Sequence, residues 1–172
     1  MGELLLFAAG RFRLVFAGEA RFSDAEGERR VEAALAGVDH LVDRVGWQAP
    51  AEFFSSVDLA VFPSVQAETF GLVVAQAQYA GVPFVITDAG ALPEVAGPQH
   101  PWVVASGSPD TLADMIEAAA TADDPSILAA ARQRRAKHYS PEAGRKRLAA
   151  YFSTVLPHSN GRAFENAPAR RT

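Results

Sequence analysis

No cysteine occurs among the 172 residues, which excludes disulfides, thiolate metal sites and a catalytic thiol, and leaves the redox compartment unreadable. The four histidines, His40, His100, His138 and His158, stand far apart without ligand spacing, so each is expected in a surface or structural role and no metal site is expected. No transmembrane segment is expected either. The run Leu4–Gly10 is too short to span a bilayer and lacks the basic flank of a signal peptide, so the default location is cytoplasmic. A large excess of one charge is also missing. Sixteen Lys and Arg against twenty Asp and Glu leave a net charge of −4, which gives the surface as a whole no attraction to nucleic acid or anionic lipid.

What is present is ordinary for a globular chain: 49% hydrophobic and 21% charged residues, at a length that suits one domain with a sizeable core. Residues 3–10 read as a buried strand or the tail of a helix. Arg13–Gly18 reads as a buried strand, and residues 19–39 as an amphipathic helix with Val31, Leu35 and Val38 on its apolar face and Ser23 or Asp24 as its cap. Strands follow near 43–47, 59–63, 83–87 and 102–105, with a short helix at 50–56, a longer one at 70–80 closed by Gly81, and a helical turn at 92–95. Beyond these the pattern is helical. Ser108-Pro109, Asp124-Pro125 and Ser140-Pro141 each place a capping side chain before a proline at the first helical position, which predicts helices over 109–121, 125–138 and 141–156. The polar end from residue 157 to residue 172 is expected to be a disordered tail.

Strands alternating with helices predict an α/β fold: a Rossmann-like parallel sheet covered on both faces, followed by a helical C-terminal segment, all in one domain over residues 1–156. The chain is organised around Pro63–Val95, PSVQAETFGLVVAQAQYAGVPFVITDAGALPEV, a βαβ unit with its polar groups at one edge. Ligands of such sheets sit beyond the carboxyl ends of the strands. A helix beginning near Phe70 would present free N–H groups carrying roughly half a unit of positive charge, and Gly71 would let an anion approach the backbone. Glu68 beside that end would repel a bare phosphate. It would instead accept hydrogen bonds from sugar hydroxyls, so a sugar joined to a diphosphate fits both halves. The plain alternative is that Glu68 is a solvated loop residue.

These residues carry a resemblance. The stretch is similar to the signature of retaining glycosyltransferases of the GT-B fold, family 4 type, in their C-terminal nucleotide-sugar-binding domain. The similarity runs from about Glu3 to Leu156 and includes Arg13–Gly18 as a strand ending in glycine, Val45-Gly46 before the nucleotide base, and Asp58–Ser64 as the strand closing in Pro-Ser. The resemblance implies that Glu68, the first of the family's paired glutamates, is the catalytic carboxylate contacting the donor sugar near the reacting centre, that the N–H groups of Phe70, Gly71 and Leu72 with neighbouring Thr69 hold the diphosphate, and that Gly18, Gly46 and Trp47 border the ligand. Trp47 would stack on the base or, equally, be an ordinary buried tryptophan.

The chain departs from that family in three places. The second glutamate of the pair, which binds the ribose, is Gln76 here, a change worth about 1–2 kcal/mol in donor affinity. The Arg and Lys that neutralise the leaving diphosphate are expected after a first strand that has no counterpart, because Met1 falls where the family's first helix is already running; Arg11 and Arg13 lie in the wrong place. The N-terminal acceptor-binding domain is expected to be missing as well. The missing strand would leave the sheet with a gap or an exposed edge, filled by residues 3–10 or by another polypeptide. The expected function is therefore the donor-binding half of a retaining glycosyltransferase, with a nucleotide-diphosphate sugar as substrate and no cofactor, completed by an acceptor domain or partner chain. The alternative is a truncated non-catalytic paralogue acting as a nucleotide-sugar-binding or partner-interaction module.

Overall fold

The computed structural model describes residues 12–18 and 25–156; the expectations for residues 3–10, for the cap at Ser23 or Asp24 and for the tail from 157 lie outside the described residues. Two compact units divide the chain, Met1–Arg135 and Ala136–Thr172.

In the first unit the apolar runs become short parallel strands. β1 (Leu14–Ala17) pairs with β2 (Val42–Gly46), Leu14 opposite Val42, with a bulge between Phe16 and Ala17. Helix α1 (Ala25–Leu35) and a 3-10 turn (Asp39–Leu41) lie between them in the chain. Leu35 and Val38 are buried against Leu14, Leu41 and Val42, whereas Val31, expected on the same face, is exposed. Helix α1 ends at Leu35, and a tight turn brings in Val38, its N–H donating to the Leu35 carbonyl at 2.9 Å. Ion pairs lace the outside. Arg13 pairs with Asp43, and Arg44 reaches Glu32 at 2.5 Å and Asp39 at 3.0 Å. These guanidinium partners hold the Asp43 and Glu32 carboxyls below the usual carboxylate range.

β3 (Ala60–Phe62), β4 (Phe84–Thr87) and β5 (Val103–Val104) form a second parallel sheet in that order. Every residue of β4 is buried, as expected of a parallel strand covered on both faces. Val85 lies in a cluster with Trp102, Val104, Leu112 and Ala119, the last two from α5 (Pro109–Thr121). An aromatic chain runs from Phe54 of α2 (Pro50–Ser55) through Phe62 to Phe84 and the imidazole of His100, which stacks on Phe84 at 4.2 Å. His100 Nε2–H donates to the Phe84 carbonyl at 3.0 Å; a carbonyl can only accept, which fixes the tautomer. Burial pushes the pKa of this histidine down to about 4, so it is a neutral structural residue.

The fold is thus α/β with parallel sheets flanked by helices. The strands form two sheets rather than one, and no strand pairing among the described residues joins them. The remaining helices of the unit are α3 (Leu72–Ala80), α4 (Leu92–Ala96) and the greater part of α6 (Pro125–His138). The expected caps divide. Asp124 Oδ1 accepts from the Ser126 N–H at 2.9 Å, but Ser108 makes no side-chain cap bond; its carbonyl instead accepts from Leu112 N–H at 3.0 Å.

The second unit contains the helical C-terminal segment: the end of α6 and α7 (Pro141–Val155). Ser140 caps α7 as expected, its Oγ accepting from Ala143 N–H at 3.1 Å.

Candidate functional site

The chain leaves β3 at Phe62, turns at Pro63, and enters an exposed loop that carries Glu68. One tie fixes that loop to the end of β4 and a second closes the loop on itself. The hydroxyl of buried Thr87 donates to the Ser64 carbonyl at 2.6 Å, and the Ser64 hydroxyl donates to Glu68 Oε1 at 3.0 Å. Farther along, Glu68 forms an isolated parallel bridge with Gly90, and its carbonyl accepts from Ala91 N–H at 2.9 Å. Gly90 has φ +61, and a Cβ there would stand 2.4 Å from the Glu68 carbonyl oxygen and 2.5 Å from the Glu68 nitrogen. The two backbones touch because position 90 has no side chain.

Helix α3 starts at Leu72, two residues later than the sequence pattern predicts. Gly71 adopts the left-handed conformation, φ 79 and ψ 52, which an α-helix cannot continue through. A Cβ on Gly71 would lie 2.6 Å from Leu92 Cδ2, so a side chain there would have to push that methyl aside. Val74 N–H donates to the Gly71 carbonyl at 3.0 Å. The helical amides without a carbonyl of their own helix to bond are therefore those of Leu72 and Val73, while Phe70 and Gly71 precede the helix. Thr69 and Phe70 are exposed. Gln76, one turn into the helix, is half-buried.

A second group of expected site residues closes the other strand pair. Gly18 N–H donates to the Gly46 carbonyl at 2.8 Å. Both glycines have positive φ, 137 and 65, with nothing within 4 Å of where a Cβ would be, so each leaves open space at the carboxyl end of its strand. Trp47 follows directly and is 60% exposed. That excludes the ordinary buried tryptophan and leaves an aromatic face available. The expected residues therefore fall into two groups, Gly18, Gly46 and Trp47 after β1–β2, and Glu68 to Gln76 after β3.

Four residues that the sequence pattern did not single out position this site: Ser64, Thr87, Gly90 and Leu92. A glycine between a strand and a Pro-containing helix start was the available signal for Gly90, but the backbone it admits comes from a loop some twenty residues upstream. Asp88, also at the end of β4, accepts from Ser106 N–H at 2.8 Å, which holds its carboxyl below the usual range and ties the exits of β4 and β5. Helix α4 is gripped at its far end. Gln78 Nε2 of α3 donates to the carbonyls of Val95 and Ala96 at 3.2 and 3.1 Å, and Arg134 of α6 donates to those of Glu94 and Val95 at 2.5 and 3.1 Å. Among the described residues no group of three or more His, Asp or Glu is placed to hold a metal ion.

A family model described as "Glycosyl transferases group 1" matches residues 3–122. No curated protein sequence matches the chain significantly. Solved structures match the fold. Anabaena HepE in complex with UDP aligns with a TM-score of 0.80 at 19% identity, covering 90% of this chain and 44% of that one. A glycosyltransferase from Rickettsia africae aligns at 0.75 and 18%, covering 93% and 45%. Sucrose-phosphate synthase from Thermosynechococcus elongatus aligns at 0.70 and 24%, covering 90% and 42%. The chain spans less than half the length of these structures.

Proposed function

Because the chain belongs to the group 1 glycosyl transferases, we propose that it forms the donor-binding half of a retaining, family 4 type enzyme that moves a sugar from a nucleotide-diphosphate sugar to an acceptor hydroxyl. The observation that carries this reading is the double tie of Glu68, through Ser64 and through Gly90, beside the amino end of α3. A carboxylate held by a hydroxyl donor accepts hydrogen bonds from the sugar. The Leu72 and Val73 amides, with the adjoining Thr69 to Gly71 loop, receive the diphosphate at the positive end of the helix. Trp47 stacks on the base beside Gly46, Gly18 gives the ligand room, and Gln76 takes the ribose. The presence of UDP in the HepE structure supports the same assignment.

In the reaction the bond from the anomeric carbon to the diphosphate oxygen breaks, and its electron pair leaves with the diphosphate. The acceptor oxygen bonds the anomeric carbon from the face the diphosphate vacates. The acceptor proton passes to the departing phosphate oxygen. Glu68 orients the sugar and stabilises positive charge as it develops on the ring. No step requires a cofactor. A cytoplasmic location goes with this reading, since that is where such donors are made, and an acceptor domain or partner chain supplies the opposite wall.

One observation favours the second reading, a nucleotide-sugar-binding or partner-interaction module without turnover of its own. From Ser64 to Val95 there are three acids, Glu68, Asp88 and Glu94, and no Lys or Arg, so cations for the leaving group must come from elsewhere. Calorimetric titration of the folded chain with UDP-, GDP- and ADP-sugars tests the donor site. Binding of one of them that weakens at least tenfold in Glu68→Ala supports it; no binding to any overturns it. Donor hydrolysis by the chain alone would overturn the second reading.

A further inference from the structure

On the buried face of α3, Val74, Ala75 and Ala77 are apolar and Gln78 is not. Gln78 is completely buried, with 0% of its surface exposed. Its Nε2 donates to the Val95 and Ala96 carbonyls of α4 at 3.2 and 3.1 Å. A carbonyl can only accept, so the amide cannot be turned over, and Oε1 is left without a hydrogen-bond partner among the described residues. Buried polar atoms are nearly always paired, because leaving one unpaired costs its full desolvation. What the amide achieves at that cost is a hold on α4.

The hold is shared. The last carbonyls of a helix have no further turn to donate to them. In α4, Gln78 supplies Val95 and Ala96, and Arg134 from α6 supplies Glu94 and Val95. The arginine stem crosses Gly97 on its way, where a Cβ would stand 2.7 Å from Arg134 Cδ. From this held end a hydrogen-bonded path leads back to the candidate site. Val95 N–H donates to the Ala91 carbonyl at 3.0 Å, and Ala91 N–H donates to the Glu68 carbonyl at 2.9 Å, while Leu92 packs on Gly71. Gln78 itself stands about 10 Å along α3 from Gly71, at roughly 1.5 Å per residue, so it reaches the site through α4 and not by touching a ligand.

From the unpaired Oε1, the hold on successive carbonyls and the path back to Glu68, we propose that Gln78, assisted by Arg134, is a positioning residue for the donor site. It fixes the pose of α4, and through Ala91 and Leu92 the placement of the Glu68 loop and of Gly71. The consequence for the ligand rests on the donor-binding reading; the consequence for Glu68 is measurable in the free chain.

Amide hydrogen exchange of the full chain, resolved by NMR, compares two amides. Ala91 N–H reports on the Glu68 loop, and Ile86 N–H, which donates to the Trp102 carbonyl at 3.1 Å, reports on the buried sheet. Gln78→Met and Arg134→Met, made separately, should each raise the Ala91 rate relative to the Ile86 rate by about tenfold or more. Val104→Ala, a core substitution in β5, should raise both rates together. An unchanged ratio in either methionine variant, or the same rise in ratio in Val104→Ala, overturns the proposal. Calorimetric titration with UDP-, GDP- and ADP-sugars gives the second readout. Where the unsubstituted chain binds one of them, both methionine variants should bind it about tenfold more weakly; equal binding overturns the proposal. No binding by the unsubstituted chain would overturn the donor-binding reading instead, and the exchange ratio would still decide whether Gln78 places Glu68.

Discussion

Replacing Gly90 by alanine sets backbone strain and steric clash against each other in a way that can be separated. Any L-residue at φ +61 carries the left-handed penalty of about 1–2 kcal/mol. Gly107 offers the matched control, since it has φ +79 and nothing within 4 Å of a new Cβ, whereas at Gly90 that atom meets main-chain atoms of Glu68 at 2.4 and 2.5 Å and of Ala67 at 3.0 Å. Main chain cannot swing aside as the end of a side chain does, so the loop must move as a body. That adds about 1–3 kcal/mol of overpacking cost. Gly107→Ala should therefore lose about 1–2 kcal/mol and Gly90→Ala about 2–5 kcal/mol, corresponding to thermal shifts of very roughly 2–8 °C and 4–20 °C for a chain of this size. Urea unfolding followed by circular dichroism gives both numbers, with an unchanged slope showing that the unfolded state is not the cause. Because the clash lies on Glu68, Gly90→Ala should also weaken donor binding while Gly107→Ala does not. Equal destabilisation by the two variants would refute the claim that contact between the two backbones holds the Glu68 loop.

Two further outcomes follow from particular residues. Gln76→Glu places a carboxylate at the position proposed for the ribose, and calorimetry should find donor affinity raised about tenfold; an unchanged or weaker affinity would remove Gln76 from the site. His100 is held neutral in the fold, its pKa depressed to about 4 from an unfolded value near 6.5. The unfolded state therefore binds the extra proton first, and the stability this residue contributes is full above about pH 6.5 and is lost as pH falls through 4. The loss amounts to about 2–3 kcal/mol, its partial exposure included. Urea midpoints measured from pH 7.5 to pH 4.5 should fall, and His100→Gln should flatten that slope; an equal slope in the variant would refute the assignment.

Local chemistry was legible in the sequence where one residue decides it. Gly81 ends α3, Pro109, Pro125 and Pro141 start α5, α6 and α7, and apolar runs mark the strands. The α/β class and the helical end followed from their order. What could not be read depends on distant partners. Val31 has the spacing of a core residue, yet it is exposed while Leu35 and Val38 are buried. Trp47 is as consistent with a core as with a surface until its 60% exposure is known. Gly71 and Gly90 look like ordinary turn glycines in one dimension; only the close approach of the Glu68 backbone sets Gly90 apart, while Gly71 meets the end of the Leu92 side chain. A gap or exposed edge in the sheet was expected from the strand without a counterpart, but the pairing of the described strands as β1–β2 and β3–β4–β5 was not, because strand neighbours are set by pairing across the chain rather than by the residues within a strand.

Helix α4 spans five residues, too few to hold a helical shape unaided. Its order is lent by others: Gln78 and Arg134 grip its final carbonyls, and its first residue, Leu92, fills the space beside Gly71. The cradle at the start of α3 is therefore only as firm as the grip on α4. As the molecule warms, side-chain clasps of this kind loosen before a fully buried strand such as β4 does, so the edge at the start of α3 softens while the sheet beneath it is still intact.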